Sequence, residues 1–266
     1  MIVLCSFLVE YQYEVTKSVR EYLRSEICLV EINSIPSELI RPIVNCSICS
    51  DIQNIPTFDG HVPEDEAEKL AYSIVPFLVK NATRKWKAST EFSYEFFKQF
   101  FDNETVLDYF KTCQFLDYGS GFLSIKNVFN MPKERAETGK PAWYIGFSSC
   151  DDYVNKNLLQ EYFISPEFLP KSLNTQQVWL FMGFGRSGGS AAPVHIDQVG
   201  VPSWQAQIIG KKTWQIYPTF ECEMECKNFD INLEAGDIFV IDTNWWYHNT
   251  RVEKDYFSLT IGSEYQ

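Results

Sequence analysis

The second half of the chain is a succession of short runs in which apolar and polar residues alternate. Trp204, Ala206 and Ile208 alternate with Ser203, Gln205 and Gln207, and Trp214 and Ile216 alternate with Thr213 and Gln215. Phe257, Leu259 and Ile261 alternate with Ser258 and Thr260, while Val178–Met182 and Ile238–Ile241 are wholly apolar. Successive side chains of a strand point to opposite faces, so each alternating run reads as a strand with one buried face. Gly210-Lys211 and Ala235-Gly236-Asp237 punctuate the runs as turns. Several short strands in succession predict an antiparallel jelly roll or barrel.

Upstream, the pattern is helical. Pro63–Tyr72 places Pro and acidic residues in a first turn, where they suit the helix dipole. Phe92, Phe96, Phe97, Phe100 and Phe101 share one helical face. Ser93 is the expected N-cap there, with Phe92 and Phe97 as a hydrophobic staple. That aromatic stripe reads as core packing. Tyr13–Ile27 also has helical spacing, and Pro76–Lys80 reads as a short strand. We divide the chain into an N-terminal extension, 1–62, and a main domain, 63–266, with the site-bearing core at 140–266.

Composition narrows the partners. The net charge of −12 argues against a general nucleic-acid binder, which needs a basic face. It leaves room for a basic partner, which an acidic surface attracts. No apolar run is long enough for a membrane-spanning helix. The apolar start, Met1–Val9, fits a first strand or a clipped signal peptide, the strand being preferred. Among the eight cysteines, Cys46-x-x-Cys49 and Cys222-x-x-x-Cys226 are the close pairs. Their unequal spacing favours disulfides or buried thiols over a four-thiolate zinc site. With N-x-S/T sequons at Asn45, Asn81 and Asn103, the balance tilts to the secretory pathway over the cytoplasm.

The chemistry centres on two of the three histidines. His195-Ile196-Asp197 follows the Gly-rich segment Gly183–Ser190, and residues i and i+2 of an extended segment share a face. His248 follows the strand at Asp237–Asp242, from which an antiparallel roll can return it beside the first pair. Two His and one carboxylate on one side of a metal form the facial triad of non-haem Fe(II) oxygenases, whose open positions admit cosubstrate and O2. Alone, a His-x-Asp pair is more often structural than metal-binding. His61, in a turn-like stretch, is assigned no role, and Arg186 reads as a solvated loop residue.

Further residues extend the pattern. Pro193–Asp197, Trp204–Lys212 with its Q-x-x-G-x-K spacing, Gly236–Asp242 and Trp245–His248 follow in order. Over 176–262 this set resembles the JmjC (cupin-like) family of Fe(II)- and 2-oxoglutarate-dependent oxygenases. Pro76–Trp86 resembles the family's N-terminal strand and turn. The resemblance implies a mainly β fold, a double-stranded β-helix (jelly-roll, cupin) barrel with an N-terminal helical region packed on it. It implies that His195, Asp197 and His248 bind Fe(II). It places Lys212 against the distal carboxylate of 2-oxoglutarate, with Lys211 outward, and Tyr144 and Ser203 in the cosubstrate pocket. Two positions depart from the family pattern. Ala192 stands where a Thr or Ser hydroxyl is common, and Ser203 where Asn is common. Ser190 is a candidate to replace the hydroxyl.

The implied function is hydroxylation of a protein side chain, with succinate and CO2 as coproducts. N-methyl demethylation would use the same site. The expected partner is a protein or peptide, with a basic one mildly favoured; homodimerisation occurs in the family. A non-catalytic metal- or ligand-binding cupin module is the alternative, supported by Ala192 and Ser203. A cupin metalloenzyme without 2-oxoglutarate leaves Lys212 with no dicarboxylate to meet. The loops Gly119–Gly139 and Gln198–Ser203 would grip a substrate but carry no decodable motif.

Overall fold

The computed structural model describes residues 43–170, 177–185 and 192–266. Among the described residues, twelve strands form two sheets. They are β1 (Thr57–Asp59), β2 (Phe77–Lys80), β3 (Phe115–Leu116), β4 (Trp143–Ser149), β5 (Val178–Phe184) and β6 (Ala192–His195). They continue with β7 (Ser203–Ile209), β8 (Lys211–Tyr217), β9 (Phe229–Glu234), β10 (Ile238–Ile241), β11 (Tyr247–Val252) and β12 (Phe257–Glu264). The large sheet runs β1-β2-β10-β7-β12-β5-β4-β3 and the small one β6-β11-β8-β9. Among the strand pairings of the described residues, β1–β2 is parallel and the others are antiparallel. From β5 to β12 the chain passes back and forth between sheets, four strands in each. This is a double-stranded β-helix, and the fold is mainly β as expected.

Period-two alternation gives the large sheet two unlike faces. Trp143, Ile145, Phe147, Leu180, Met182, Trp204, Ala206, Ile208, Leu259 and Ile261 share one apolar core. The helices α1 (Glu64–Ala71), α2 (Ala88–Glu91), α3 (Tyr94–Phe100), α4 (Glu104–Phe110), α5 (Ile125–Phe129) and α6 (Lys133–Thr138) follow in chain order. Those helices and their flanks supply Ala67, Ala71, Ala88, Phe97, Phe101, Phe110, Val128, Phe129 and Ala136 to that core. The Ser93 hydroxyl accepts the Phe96 amide as the N-cap of α3, and the Phe92 and Phe97 rings meet at 4.8 Å. The aromatic stripe is thus core. Phe97 is 1% exposed, with its ring against Phe92, Phe101 and Phe147.

The opposite face of the large sheet meets the small sheet and encloses the barrel interior. One half is apolar, with Leu78, Trp214, Ile216, Leu233, Phe239 and Ile241. The other half is polar and carries the site. The run at Val178–Met182 proves two-sided, because Leu180 enters the helical core while Trp179 and Phe181 are only partly buried.

Residues 44–62 are tied into the barrel, so the division after residue 62 falls inside a compact unit spanning Val44–Gln266. Two links hold them. β1 pairs with β2, and disulfides join Cys46 to Cys222 and Cys49 to Cys226. A third disulfide joins Cys113 to Cys150. The close cysteine pairs therefore cross-link two turns. Met1–Val9 and Tyr13–Ile27 lie outside the described residues.

Truncating the aromatic stripe should be costly. Phe97→Ala is expected to lower stability by about 3–5 kcal/mol in urea unfolding under oxidising conditions. Leu123→Ala, at a side chain 92% exposed, should change it by less than about 0.5 kcal/mol.

Candidate metal and cosubstrate site

The structure brings His195, Asp197 and His248 together. A ligand atom from each lies within 4.8 Å of the others. The cause is register, since His195 ends β6 directly opposite His248 in β11. Asp197 follows two residues later, just beyond the strand, its amide donating to the Thr243 carbonyl at 2.9 Å. His195 Nε2 is 3.5 Å from Asp197 Oδ1, and His248 Nε2 is 3.8 Å from Asp197 Oδ2.

Both imidazoles are oriented by the backbone. His195 Nδ1 lies 2.8 Å from the Pro193 carbonyl and His248 Nδ1 lies 3.1 Å from the Trp246 carbonyl. A carbonyl can only accept, so each Nδ1 donates, which turns each Nε2 toward the cluster. Burial, and then the neighbouring His195, push His248 down to about 4. Its ring stays neutral at pH 7, the form that binds metals. Trp214 stacks on it at 5.3 Å and 27°. Three ligands from one side suit a divalent cation with open positions.

Deeper in the barrel lies Lys212, 2% exposed. Alternation along β8 separates it from Lys211, which is exposed and pairs with Glu234 at 2.9 Å. Lys212 Nζ donates to Gln205 Oε1 at 2.6 Å and Thr260 Oγ1 at 3.2 Å, both neutral. The rings of Phe181 and Tyr144 lie 5.2 and 5.5 Å from it. Among the described residues it has no carboxylate partner, and burial lowers its pKa to about 7.

Tyr144 is buried, and its hydroxyl faces the Thr260 side chain. Burial pushes that hydroxyl well above its ordinary range. A buried cation without an anion, beside two buried hydroxyls, is an environment suited to a negatively charged oxygen ligand. Gly146 helps to make room. A Cβ there would come within 2.7 Å of the Phe181 ring and 3.3 Å of Tyr118.

Ser203 opens β7 opposite Ile241 and Glu264. Ala192 sits on β6 opposite Thr250, which is 6% exposed. Arg186 and Ser190 lie outside the described residues. His61 lines a separate open groove of about 1020 Å³ with Trp86 and Phe168.

Sequence reasoning missed several groups. Gln205 and Thr260 touch Lys212 across strands, so only the strand register reveals them. Tyr118 holds the left-handed value φ 47° and stands 5.7 Å from the Tyr144 ring. Burial, and then the Asp197 charge, push its hydroxyl upward. Nothing local in Asp117-Tyr118-Gly119 signals that position.

No protein-family model matches the chain. Among solved structures it is similar to YcfD, a ribosomal oxygenase from Escherichia coli. Identity is 13% and the TM-score 0.47, over 79% of this chain and 53% of that one. The chain thus spans about half the length of that protein.

Two outcomes follow from this geometry. Mn(II) should bind one equivalent in calorimetry, and His248→Ala should weaken it at least 100-fold. Lys212→Met should stabilise the metal-free fold by about 1–3 kcal/mol, because it removes an uncompensated buried cation. The unfolded chain keeps the Lys212 proton to about pH 10.5, whereas the folded one releases it near 7. Stability from this group therefore rises with pH across that window, by up to about 1.4 kcal/mol per unit. The advantage of Lys212→Met should accordingly shrink between pH 7 and pH 10 in denaturant titrations.

Proposed function

We propose that this protein is an Fe(II)- and 2-oxoglutarate-dependent oxygenase of the JmjC type that hydroxylates a side chain of a protein or peptide. The observation that carries the reading is the Lys212 ammonium, buried without an anion in the barrel that holds the His195–Asp197–His248 cluster. A single mono-anion or a bare metal leaves one of these two features unused. A dicarboxylate with a 2-oxo acid end uses both.

His195, Asp197 and His248 would hold the iron from one side, the two imidazoles turning Nε2 to it through their Nδ1 bonds to the Pro193 and Trp246 carbonyls. Fe(II), when bound, supplies the redox chemistry in which O2 gives one oxygen atom to a substrate C–H and the other to 2-oxoglutarate, which leaves as succinate and CO2. Lys212 would pair with the distal carboxylate, and the Tyr144 hydroxyl and Thr260 would complete its shell. The Phe181 and Tyr144 rings keep water from that end, which strengthens the charge pairing. Thr250, opposite Ala192 on the same pairing, would supply the hydroxyl that Ala192 lacks. Ser203, at the start of β7, would border the cosubstrate from the other sheet.

The test is conversion of 2-oxoglutarate to succinate, followed by NMR with Fe(II) and ascorbate. Succinate that depends on iron and falls at least 100-fold in His195→Ala and Lys212→Met is the expected result. Tight metal binding with neither 2-oxoglutarate binding nor succinate would point instead to a non-catalytic metal-binding module.

A further inference from the structure

The three Asn-x-Ser/Thr sequons, at Asn45, Asn81 and Asn103, play no part in the chemistry above. Attachment of an N-linked sugar takes the asparagine carboxamide nitrogen, so a folded chain can carry one only where Nδ2 is free and the sequon is at the surface. Asn81 fails on both counts. Its Nδ2 donates to Asp59 Oδ1 at 2.7 Å, and Thr83, 1% exposed, shares its hydroxyl with Ser89. Asn45 is exposed, but the middle residue of its sequon is Cys46, which is bonded to Cys222. That bond and the 3-10 turn Cys46–Ile48 hold the sequon folded back.

Asn103 meets both conditions. It stands between α3 and α4, and Asn103, Glu104 and Thr105 are all exposed. Asn103 is the N-cap of α4, its Oδ1 accepting the Thr105 amide at 2.9 Å. Among the described residues no group hydrogen-bonds its Nδ2 or the Thr105 hydroxyl. The cap uses the oxygen alone, so a sugar on the nitrogen removes no contact of the fold. Position agrees with this. Phe101 and Phe110, at the ends of the two helices, pack on Phe147 of β4, on the face of the large sheet away from the barrel interior. A glycan there leaves the triad uncovered. Redox chemistry is a second, independent observation. The disulfides Cys46–Cys222, Cys49–Cys226 and Cys113–Cys150 require an oxidising compartment, and N-linked sugars are added in such a compartment.

We propose that Asn103 is an N-glycosylation site. In the transfer, Asn103 Nδ2 attacks C1 of the first sugar of a lipid-linked diphospho-oligosaccharide. The Nδ2–C1 bond forms, the C1–O bond to the diphosphate breaks, and one Nδ2 proton is released with the lipid diphosphate. Nothing is oxidised or reduced. The product keeps Oδ1 on the Thr105 amide, so α4 stays capped. The proposal uses no residue of the triad or of the Lys212 pocket, and it stands apart from the oxygenase reading.

The test expresses the full chain behind a cleavable secretory leader in mammalian cells and, in parallel, translates it in vitro with microsomes. Peptide N-glycosidase in heavy-oxygen water converts each glycan-bearing Asn to labelled Asp, which mass spectrometry locates. Label at Asn103 in most secreted molecules, with Asn81 unlabelled, is the expected result. Asn103→Asp and Thr105→Ala should each lower label or glycan at this position at least tenfold, and Thr105→Ser should retain it. Asn103→Asp keeps the helix cap, since Asp caps about as well as Asn. Each variant should therefore keep a cooperative urea transition. A folded, secreted chain with Asn103 unlabelled overturns the proposal, as does label at Asn81 in place of Asn103. If a chain is not secreted, the microsomal product decides, because transfer there precedes folding. A glycan that Thr105→Ala removes supports the site, and its absence rejects it. A cytosolic, reduced chain that withstands urea as well as the secreted one also overturns the proposal, because the fold would then have no need of the oxidising compartment.

Discussion

Burying the Lys212 ammonium costs free energy that no anion among the described residues returns. Its contacts are Gln205, Thr260 and the rings of Phe181 and Tyr144, all neutral. The surrounding barrel is organised so that this cost is bearable. The helical layer and the outward face of the large sheet form an extensive apolar core, and each fully buried aromatic there contributes about 1.5–3 kcal/mol. The apolar half of the interior, around Trp214, Phe239 and Leu233, adds to it. The polar half can then keep an unpaired cation, buried hydroxyls and three metal-ligating groups.

Cross-links add to that reserve. The disulfides Cys46–Cys222 and Cys49–Cys226 close loops of sequence separation 176 and 177. Closing loops that long removes several kcal/mol of unfolded-state entropy in the chain-entropy account. They also fasten the segment before β1 against the turn that follows β8, the strand carrying Lys212. Bonds of this kind persist where thiols are not held reduced.

The sequence was most legible where one strand's own alternation decides the matter. The opposed directions of Lys211 and Lys212 are of this kind. The jelly-roll class followed from the same alternation, and the Ser93 cap and phenylalanine stripe from helical spacing. What depends on register between strands was not readable. Gln205, Thr260 and Thr250 look like ordinary strand residues until β7, β12 and β11 are set beside their partners. Cysteine spacing disfavoured a zinc site but could not pair Cys46 with Cys222. The ties of residues 44–62 to the barrel, β1 and two disulfides, are long-range and were likewise not readable.

The account turns on whether Lys212 and the triad together form a dicarboxylate site. Calorimetric titration of 2-oxoglutarate into the Mn(II)-loaded protein at pH 8.5, repeated in buffers of different ionisation enthalpy, measures both affinity and proton uptake. A lysine that is largely neutral when the site is empty must take up a proton as the dicarboxylate binds. The account predicts uptake approaching one proton and binding at least 100-fold tighter than that of pyruvate, which lacks the distal carboxylate. Equal affinity for the two acids, with no proton uptake, would contradict it.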